Sequence, residues 1–332
     1  MKAMVQDRYG SPDVLRLRDV DTPSPGDGEV LVRVHASSVN AYDWHIMRGD
    51  PYVARFSFGL RRPRAAVRGQ DFAGRVEAVG AAVTRFRPGD EVYGEAGPAG
   101  GAFAEYLCVA EGLVEAKPAN LGFAQAAAVP LAATTALVCL RDAADLRAGQ
   151  HVLVNGASGG VGTFAVQLAK AYGAQVTAVC RTRNVDLVRS LGADHVVDYT
   201  REDFTRTDAV RAGRRYDALL DLVGNRSLGD LRRVLTPDGT LLLSGGGVST
   251  GGTVFGPMGL LLRGPLVGRF VRQRIVAPMA TAGQGHLATL RELVEAGKLT
   301  PVVDRTFRLS EVPAAIRYVE TEHARAKVVV TM

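Results

Sequence analysis

The stretch from His151 to Gly173 constrains the fold more than any other part of the chain. It opens as a short apolar run, His151–Val154, and passes through a turn containing Gly156, Gly159, Gly160 and Gly162. It then continues in an amphipathic pattern to about Tyr172. A strand that enters a glycine turn and leaves as a helix is the first half of a βαβ unit, and such units build parallel sheets. Glycines let the turn close sharply and let a ligand's pyrophosphate approach the backbone, while the first N–H groups of the helix face that anion. The spacing therefore predicts a dinucleotide seated on Gly156, Ser158, Gly159, Gly160 and Val161. An ordinary structural turn is the competing reading.

The next segment supports the first. Gln175–Cys180 is a second β-branched apolar run, as a βαβ unit requires. At the end of that second strand, about 20 residues past the fingerprint, folds that bind NAD place an Asp or Glu on the ribose hydroxyl. This chain has Arg181, Thr182 and Arg183 there. Guanidinium groups suit a 2′-phosphate that a carboxylate would repel, so NADP(H) is the expected cofactor. The alternative is that these arginines simply begin a solvated helix.

With 332 residues the chain is long enough for two domains and a substantial core. Its net charge of +6 comes almost entirely from scattered arginines mixed with acids, without a basic block or interleaved aromatics. That pattern gives no support for a nucleic-acid partner. Cys108, Cys139 and Cys180 lie far apart with no Cys-x-x-Cys spacing, which argues against a disulfide framework and against a structural zinc knuckle. The first residues contain no apolar signal core, and no uninterrupted apolar run reaches membrane-spanning length, so a cytoplasmic protein without stable membrane insertion is expected.

The texture of the chain changes twice. Glu29–Ala36 alternates strictly, as a half-buried antiparallel strand does. Ala73–Val79 and Glu91–Tyr93 follow, separated by turn residues such as Arg87-Pro88-Gly89-Asp90. From about Phe123 strands and helices alternate: strands at 151–154, 175–180, 195–197, 216–221 and 239–244, helices at 124–143, 160–172, 184–191, 227–235 and 286–296. This predicts an α/β domain with a doubly wound parallel sheet. After Pro301 strand texture returns, at Thr306–Leu309 and Lys327–Thr331, so the C-terminus is expected to rejoin the β-rich first domain.

At this point the chain resembles the medium-chain dehydrogenase/reductase superfamily, in its zinc-independent quinone oxidoreductase branch. The resemblance runs nearly the whole length. Its carriers are Ser38–Asp43, Gly69–Gly74, Arg87–Gly94, Gly101–Tyr106, Ala128–Ala136, the fingerprint Gly156–Gly162, Leu191–Val196 and the tail His323–Lys327. It implies a Rossmann NADP(H)-binding domain, residues 123–302, inserted into a β-rich GroES-like domain formed by residues 1–122 and 303–332. Zinc-dependent relatives surround their catalytic metal with Cys, a His-Glu pair and a later Cys. Here Asn40 and Gln70-Asp71 hold the first positions and Pro130–Ala133 contains no cysteine, so no metal is expected, amides being poor zinc ligands. Hydride transfer without a Lewis acid suits a quinone or an α,β-unsaturated carbonyl.

Residue by residue, the resemblance places Asn40, Asp43 and Gln70 near nicotinamide and substrate, with Asn40 alternatively a loop-capping amide and Asp43 a brace. His45 is a candidate for orienting substrate or donating a proton, or it makes a plain structural hydrogen bond; Tyr42 and Tyr52 are further polar candidates. For the cofactor it implies Thr134 on the nicotinamide side and Ser158–Val161 at the pyrophosphate. Arg181 and Arg183 fall at the 2′-phosphate, Tyr199 at the adenine end, Val223 and Gly224 along the adenosine, and Ser244 and Gly245 beside the nicotinamide. Arg325 and Lys327 are phosphate partners or ordinary surface charge. The apolar stretch Gly251–Gln273 is a wall of the substrate cleft, a dimer contact or a membrane-surface patch. Relatives are commonly dimers, so a homodimer is expected. Two other functions stay open: an enoyl-thioester reductase of a biosynthetic pathway, and a non-catalytic NADPH-binding sensor or structural protein.

Overall fold

The computed structural model describes residues 1–245, 258–280, 283–321 and 324–332. The chain divides into two compact units: Met1–Thr134 with Thr281–Met332, and Thr135–Ala280.

The first unit begins with strands β1 (Lys2–Gln6) and β2 (Leu15–Asp19), paired antiparallel. β3 (Glu29–Val39) is longer than its alternating pattern predicts, because its second half is covered on both faces. It pairs antiparallel with β4 (Asp71–Val79), which pairs with β5 (Glu91–Glu95). The connection into β5 is the expected turn: Gly89 adopts φ +98°, and the Asp90 carboxylate accepts the Arg87 N–H at 3.0 Å. β6 (Tyr106–Ala110) pairs with β3, and β7 (Val114–Ala116) with β5. Val30, Val32, Val34, Phe72, Val76 and Val92 face one core beneath this sheet. Each such side chain contributes about 1.5–3 kcal/mol by leaving water.

The second unit is a six-stranded sheet, every pairing parallel. Its strands are β8 (His151–Asn155), β9 (Gln175–Cys180), β10 (His195–Asp198), β11 (Tyr216–Asp221), β12 (Leu235–Leu243) and β13 (Arg274–Val276). Their spatial order is β10-β9-β8-β11-β12-β13. That order reverses between β8 and β11, the doubly wound arrangement whose ligand crevice lies outside the carboxyl ends of the strands at the reversal. The single helix expected over 124–143 is instead three pieces, Phe123–Ala127, Pro130–Leu137 and a π-helical Val138–Ala143. Pro130 has no N–H to continue the first helix, and it begins the second, where none is needed.

The C-terminal segment returns to the first unit. β14 (Val303–Arg308) runs parallel to β15 (Lys327–Thr331), and β15 pairs antiparallel with β3, Val328 opposite Val39. The sheet order there is β14-β15-β3-β4-β5-β7. The Val312–Thr321 helix packs Val312, Ala315 and Ile316 against Trp44, Met47 and Val328.

Candidate functional site

In the second unit, β8 feeds the glycine turn and the Gly160–Ala171 helix, with Gly159 as N-cap. The Gly156 and Ala157 N–H groups are tied to Val179 O, which fixes the turn against β9. An ideal Cβ on Gly162 would lie 2.2 Å from Gly156 O, so no other residue fits there without opening the turn. Gly156, Ser158, Gly159, Gly160 and Val161 are half-buried, and the opening amides of the helix have no intrahelical acceptor. The Asn184 side chain donates to Ser158 Oγ at 2.9 Å and holds that hydroxyl at the turn.

At the reversal of strand order, Asn155 ends β8 and Asp221 ends β11. Asn155 Nδ2 donates to Asp221 Oδ1 at 2.9 Å, and the same oxygen accepts the N–H groups of Val223 and Gly224 at 3.1 Å. Asp221 Oδ2 is buried without a partner. An ideal Cβ on Gly245 would come within 2.0 Å of the Leu222 carbonyl carbon, so the chain after β12 runs hard against the loop after β11. Ser244 beside it is held by its N–H to Asp221 O at 3.0 Å. These features fit a nucleotide at the strand ends.

Arg181 and Arg183 are exposed at the end of β9, and Tyr199 is exposed just after β10. Thr182 is already engaged: its hydroxyl donates to the Asp198 carboxylate, and that bond helps hold Asp198 below the usual carboxylate range.

The first unit contains a buried polar cluster that sheet register assembles. The β15–β3 pairing runs on from Val328 opposite Val39 to bring Lys327 beside Asn40. β3 sets Ser38 opposite Asp71, and β4 sets Asp71 opposite Glu95. Lys327 is 2% exposed and Asp71 0%. Lys327 Nζ donates to Asn40 Oδ1 at 2.6 Å and to Asp71 Oδ2 at 3.2 Å. Asp71 Oδ2 also accepts from Ser38 Oγ (2.7 Å) and Asn40 Nδ2 (2.9 Å), and Oδ1 accepts the Leu131 N–H (2.9 Å).

Asn40 also caps the Ala41–Arg48 helix, its N–H donating to Asp43 Oδ2 at 2.8 Å. Burial pushes the Asp43 carboxyl up to about 7 against that hydrogen bond, and the Tyr42 phenol up to about 12. Glu95 is pushed up to about 8, first by burial and then by the charge of Asp71. The Thr134 hydroxyl lies beside Glu95, and Gln70 is buried next to Asp71 in sequence.

Other candidates sit differently. His45 stacks on Trp44 with ring centroids 3.7 Å apart, its Nδ1 is 3.0 Å from Asp50 O, and burial lowers its pKa. Tyr52 is exposed beneath Arg55. Arg325 is exposed, with its N–H on Asp304, whereas Lys327, grouped with it in the sequence, has its ammonium inside the cluster. Of the stretch Gly251–Gln273, residues 251–257 lie outside the described residues, as does His323. The part from Met258 to Gly268 is helical. Glu95, Arg68 and Ser38 were not singled out as site residues from the sequence. Only the register of the strands brings Glu95 and Ser38 onto Asp71.

The donor set does not suit zinc. Asn40 and Gln70 offer amides where thiolate or imidazole would be needed, and the oxygens of Asn40 and Asp71 already bind an ammonium. Among the described residues no group of three His, Cys, Asp or Glu side chains is arranged to hold a metal.

Comparison with known proteins agrees with this architecture. Residues 26–119 match the family model of the alcohol dehydrogenase GroES-like domain, and residues 191–330 that of the zinc-binding dehydrogenase. A chloroplastic quinone-oxidoreductase QR1 of Triphysaria versicolor is 34% identical over 340 residues, covering 99% of this chain and 98% of that protein. A chloroplastic NADPH-dependent alkenal/one oxidoreductase of Arabidopsis thaliana is 36% identical over 342 residues, covering 99% and 79%. The solved quinone oxidoreductase from Coxiella burnetii has a TM-score of 0.87 at 32% identity, covering 100% of this chain and 99% of that one. The chain belongs to the medium-chain dehydrogenase/reductase superfamily, in its zinc-independent quinone oxidoreductase branch. It is an oxidoreductase that uses a pyridine nucleotide. Among the described residues no helix is long and apolar enough to cross a membrane.

Proposed function

We propose that this chain reduces a small quinone or an α,β-unsaturated carbonyl with NADPH and without a metal, as a cytoplasmic homodimer. The observation that carries the reading is the Lys327 ammonium bound between Asn40 and Asp71. It is a single charge, already balanced by Asp71, and it polarises an acceptor oxygen far less than a divalent metal does. Acceptors whose oxyanion is delocalised need no more. The names of the relatives, a quinone oxidoreductase and an alkenal/one oxidoreductase, point to the same acceptors. Three free thiols suit a reducing compartment.

The nicotinamide, when bound, supplies the hydride. The chain's own residues bind and orient. The amides of Gly160 and Val161 and the Ser158 hydroxyl would take the pyrophosphate, and the Val223–Gly224 loop, pinned by Asp221, would follow the adenosine. Arg181 and Arg183 would take the 2′-phosphate, with Asp198 as the nearby opposing charge, tied to Thr182. The Asn40 amide would have its plane fixed by Lys327 and Asp71, so that it meets a ligand in one orientation.

The test is NADPH oxidation by metal-stripped protein across a panel of quinones and enones, with NADH as control. Turnover that survives chelation, and NADPH preference lost in Arg181→Ala/Arg183→Ala, are expected. Equal affinity for NADH and NADPH in the unsubstituted protein would refute the arginine assignment. Tight NADPH binding with no turnover would refute the acceptor class.

A further inference from the structure

Glu95 ends β5 directly opposite Asp71, which begins β4. Opposed residues on antiparallel strands bring their Cβ atoms to about 4.5–5.5 Å, and like charges there repel. Both side chains are buried, Glu95 at 7% exposure. The cation within reach, Lys327, is bonded to Asp71 and Asn40. Four donors converge on Asp71, so Asp71 is the acceptor of the cluster and carries the charge that Lys327 balances.

Glu95 has weaker support: burial and the charge of Asp71 outweigh the Lys327 ammonium and the Thr134 hydroxyl, which favour its ionised form. Its Oε1 is buried with no hydrogen-bond partner, beside the Thr134 hydroxyl, which is itself fully buried. Around it stand Asp71 from β4, Lys327 from β15, Thr134 from the Pro130–Leu137 helix and Tyr42 from the Ala41–Arg48 helix. Asp43 and Arg68 lie further into the same network. A buried carboxyl opposite a carboxylate, with one oxygen unused, is built to keep a proton and to present it.

We propose that Glu95 holds and delivers the proton that completes reduction of the acceptor. The proposal rests on the quinone or enone reading. With NADPH bound, hydride would reach the β-carbon of an enone, forming a C–H bond and leaving an enolate, or a carbonyl oxygen of a quinone, forming an O–H bond and leaving the hydroquinone monoanion. The Glu95 O–H breaks, its proton neutralises that anion, and NADP⁺ leaves. The resulting Glu95 carboxylate, next to Lys327, regains a proton from solvent. One NADPH and one proton are consumed for each acceptor reduced.

The test uses the full chain with Glu95→Gln, which keeps the shape, and Glu95→Asp, which keeps the acid. An infrared difference spectrum between the unsubstituted protein and Glu95→Gln at neutral pH is expected to contain the C=O stretch of one protonated carboxyl, fading as pH rises through about 8. Absence of that band overturns the proposal without any assay of turnover. With NADPH and an alkenone, Glu95→Gln should lower kcat by about 100- to 10,000-fold. It should also remove the alkaline decline in kcat and leave NADPH affinity unchanged, while Glu95→Asp recovers part of the rate. An active parent enzyme whose kcat and pH profile survive Glu95→Gln overturns the proton step alone. A parent that binds NADPH yet reduces no quinone or enone overturns both the step and the reading beneath it.

Discussion

Removing the Lys327 ammonium should cost the first unit much of its stability, and the amount follows from its surroundings. Lys327→Met keeps length and apolar volume but takes the cation from a cluster in which Asp71 is fully buried. Breaking a buried ion pair by deleting one partner costs about 3–5 kcal/mol, because the remaining charge is stranded. Asp71 keeps three other donors, Ser38, Asn40 and the Leu131 N–H, so the loss belongs near the lower end, about 3 kcal/mol. That is roughly a hundredfold in the unfolding equilibrium. Trp44 is the chain's one tryptophan and packs with Met47 and Val328 in the first unit, so its fluorescence in a urea titration reads this unit. Lys327 normally lowers the proton affinity of Glu95 and Asp43. Without it those folded-state pKa values rise further, so the deficit should grow from acidic to alkaline pH. Lys327→Met/Asp71→Asn should be less unstable than the sum of the single variants, the signature of a coupled pair. A Trp44 midpoint unmoved by Lys327→Met would refute the reasoning, as would strict additivity in the double variant.

Two further outcomes follow from the geometry. Gly162→Val would push a side chain into Gly156 O and the Ala157 backbone; a fluorescence titration should find NADPH affinity reduced at least tenfold, about 1.4 kcal/mol, and unchanged affinity would show that the turn does not carry the ligand. The pH dependence of stability should reveal the buried acids. Asp43 rises from 3.8 to about 7 and Glu95 from 4.5 to about 8, so the folded state binds more protons than the unfolded one. Their stabilising contribution is complete below pH about 4 and is lost as pH rises through about 7 to 8, so Asp43→Asn should flatten that decline in Trp44-monitored unfolding.

The second unit was legible because its signals are local. The β8 strand, the glycine turn and the following helix occupy consecutive residues, and each has its own periodicity. The break at Pro130 was also local, but the apolar run Ala126–Leu137 masked it. The first unit's site was less legible, because its chemistry comes from residues far apart in sequence. Lys327 reads as one charge in a basic tail until β15 is laid beside β3. Glu95 reads as part of a glycine- and alanine-rich loop until the register of β4 and β5 sets it opposite Asp71. A weak sequence signal existed: Asp71 and Glu95 both border apolar strand runs at positions a core would fill. Charges at such positions are buried only with partners.

The same register explains why the cluster is one hydrogen-bonded assembly rather than a set of separate contacts. Four neighbouring strands each contribute at least one polar side chain near the same level: Lys327 from β15, Ser38 from β3, Asp71 from β4 and Glu95 from β5, with Asn40 just past the end of β3. The sheet thus fixes spacing to within the tolerance of a hydrogen-bond ladder, and flexible loops are not needed to set it. Charge is unevenly supplied. Asp71 accepts four hydrogen bonds, while at Glu95 burial and the charge of Asp71 outweigh the Lys327 ammonium and the Thr134 hydroxyl. The two carboxyls of one row thus sit in different surroundings, Asp71 held by four donors and Glu95 largely desolvated, which is the asymmetry the proposed proton step uses. An ammonium suits this division better than a divalent metal would. It can balance one carboxylate without stripping the proton from the next, and its hydrogen bonds orient the Asn40 amide at the same time.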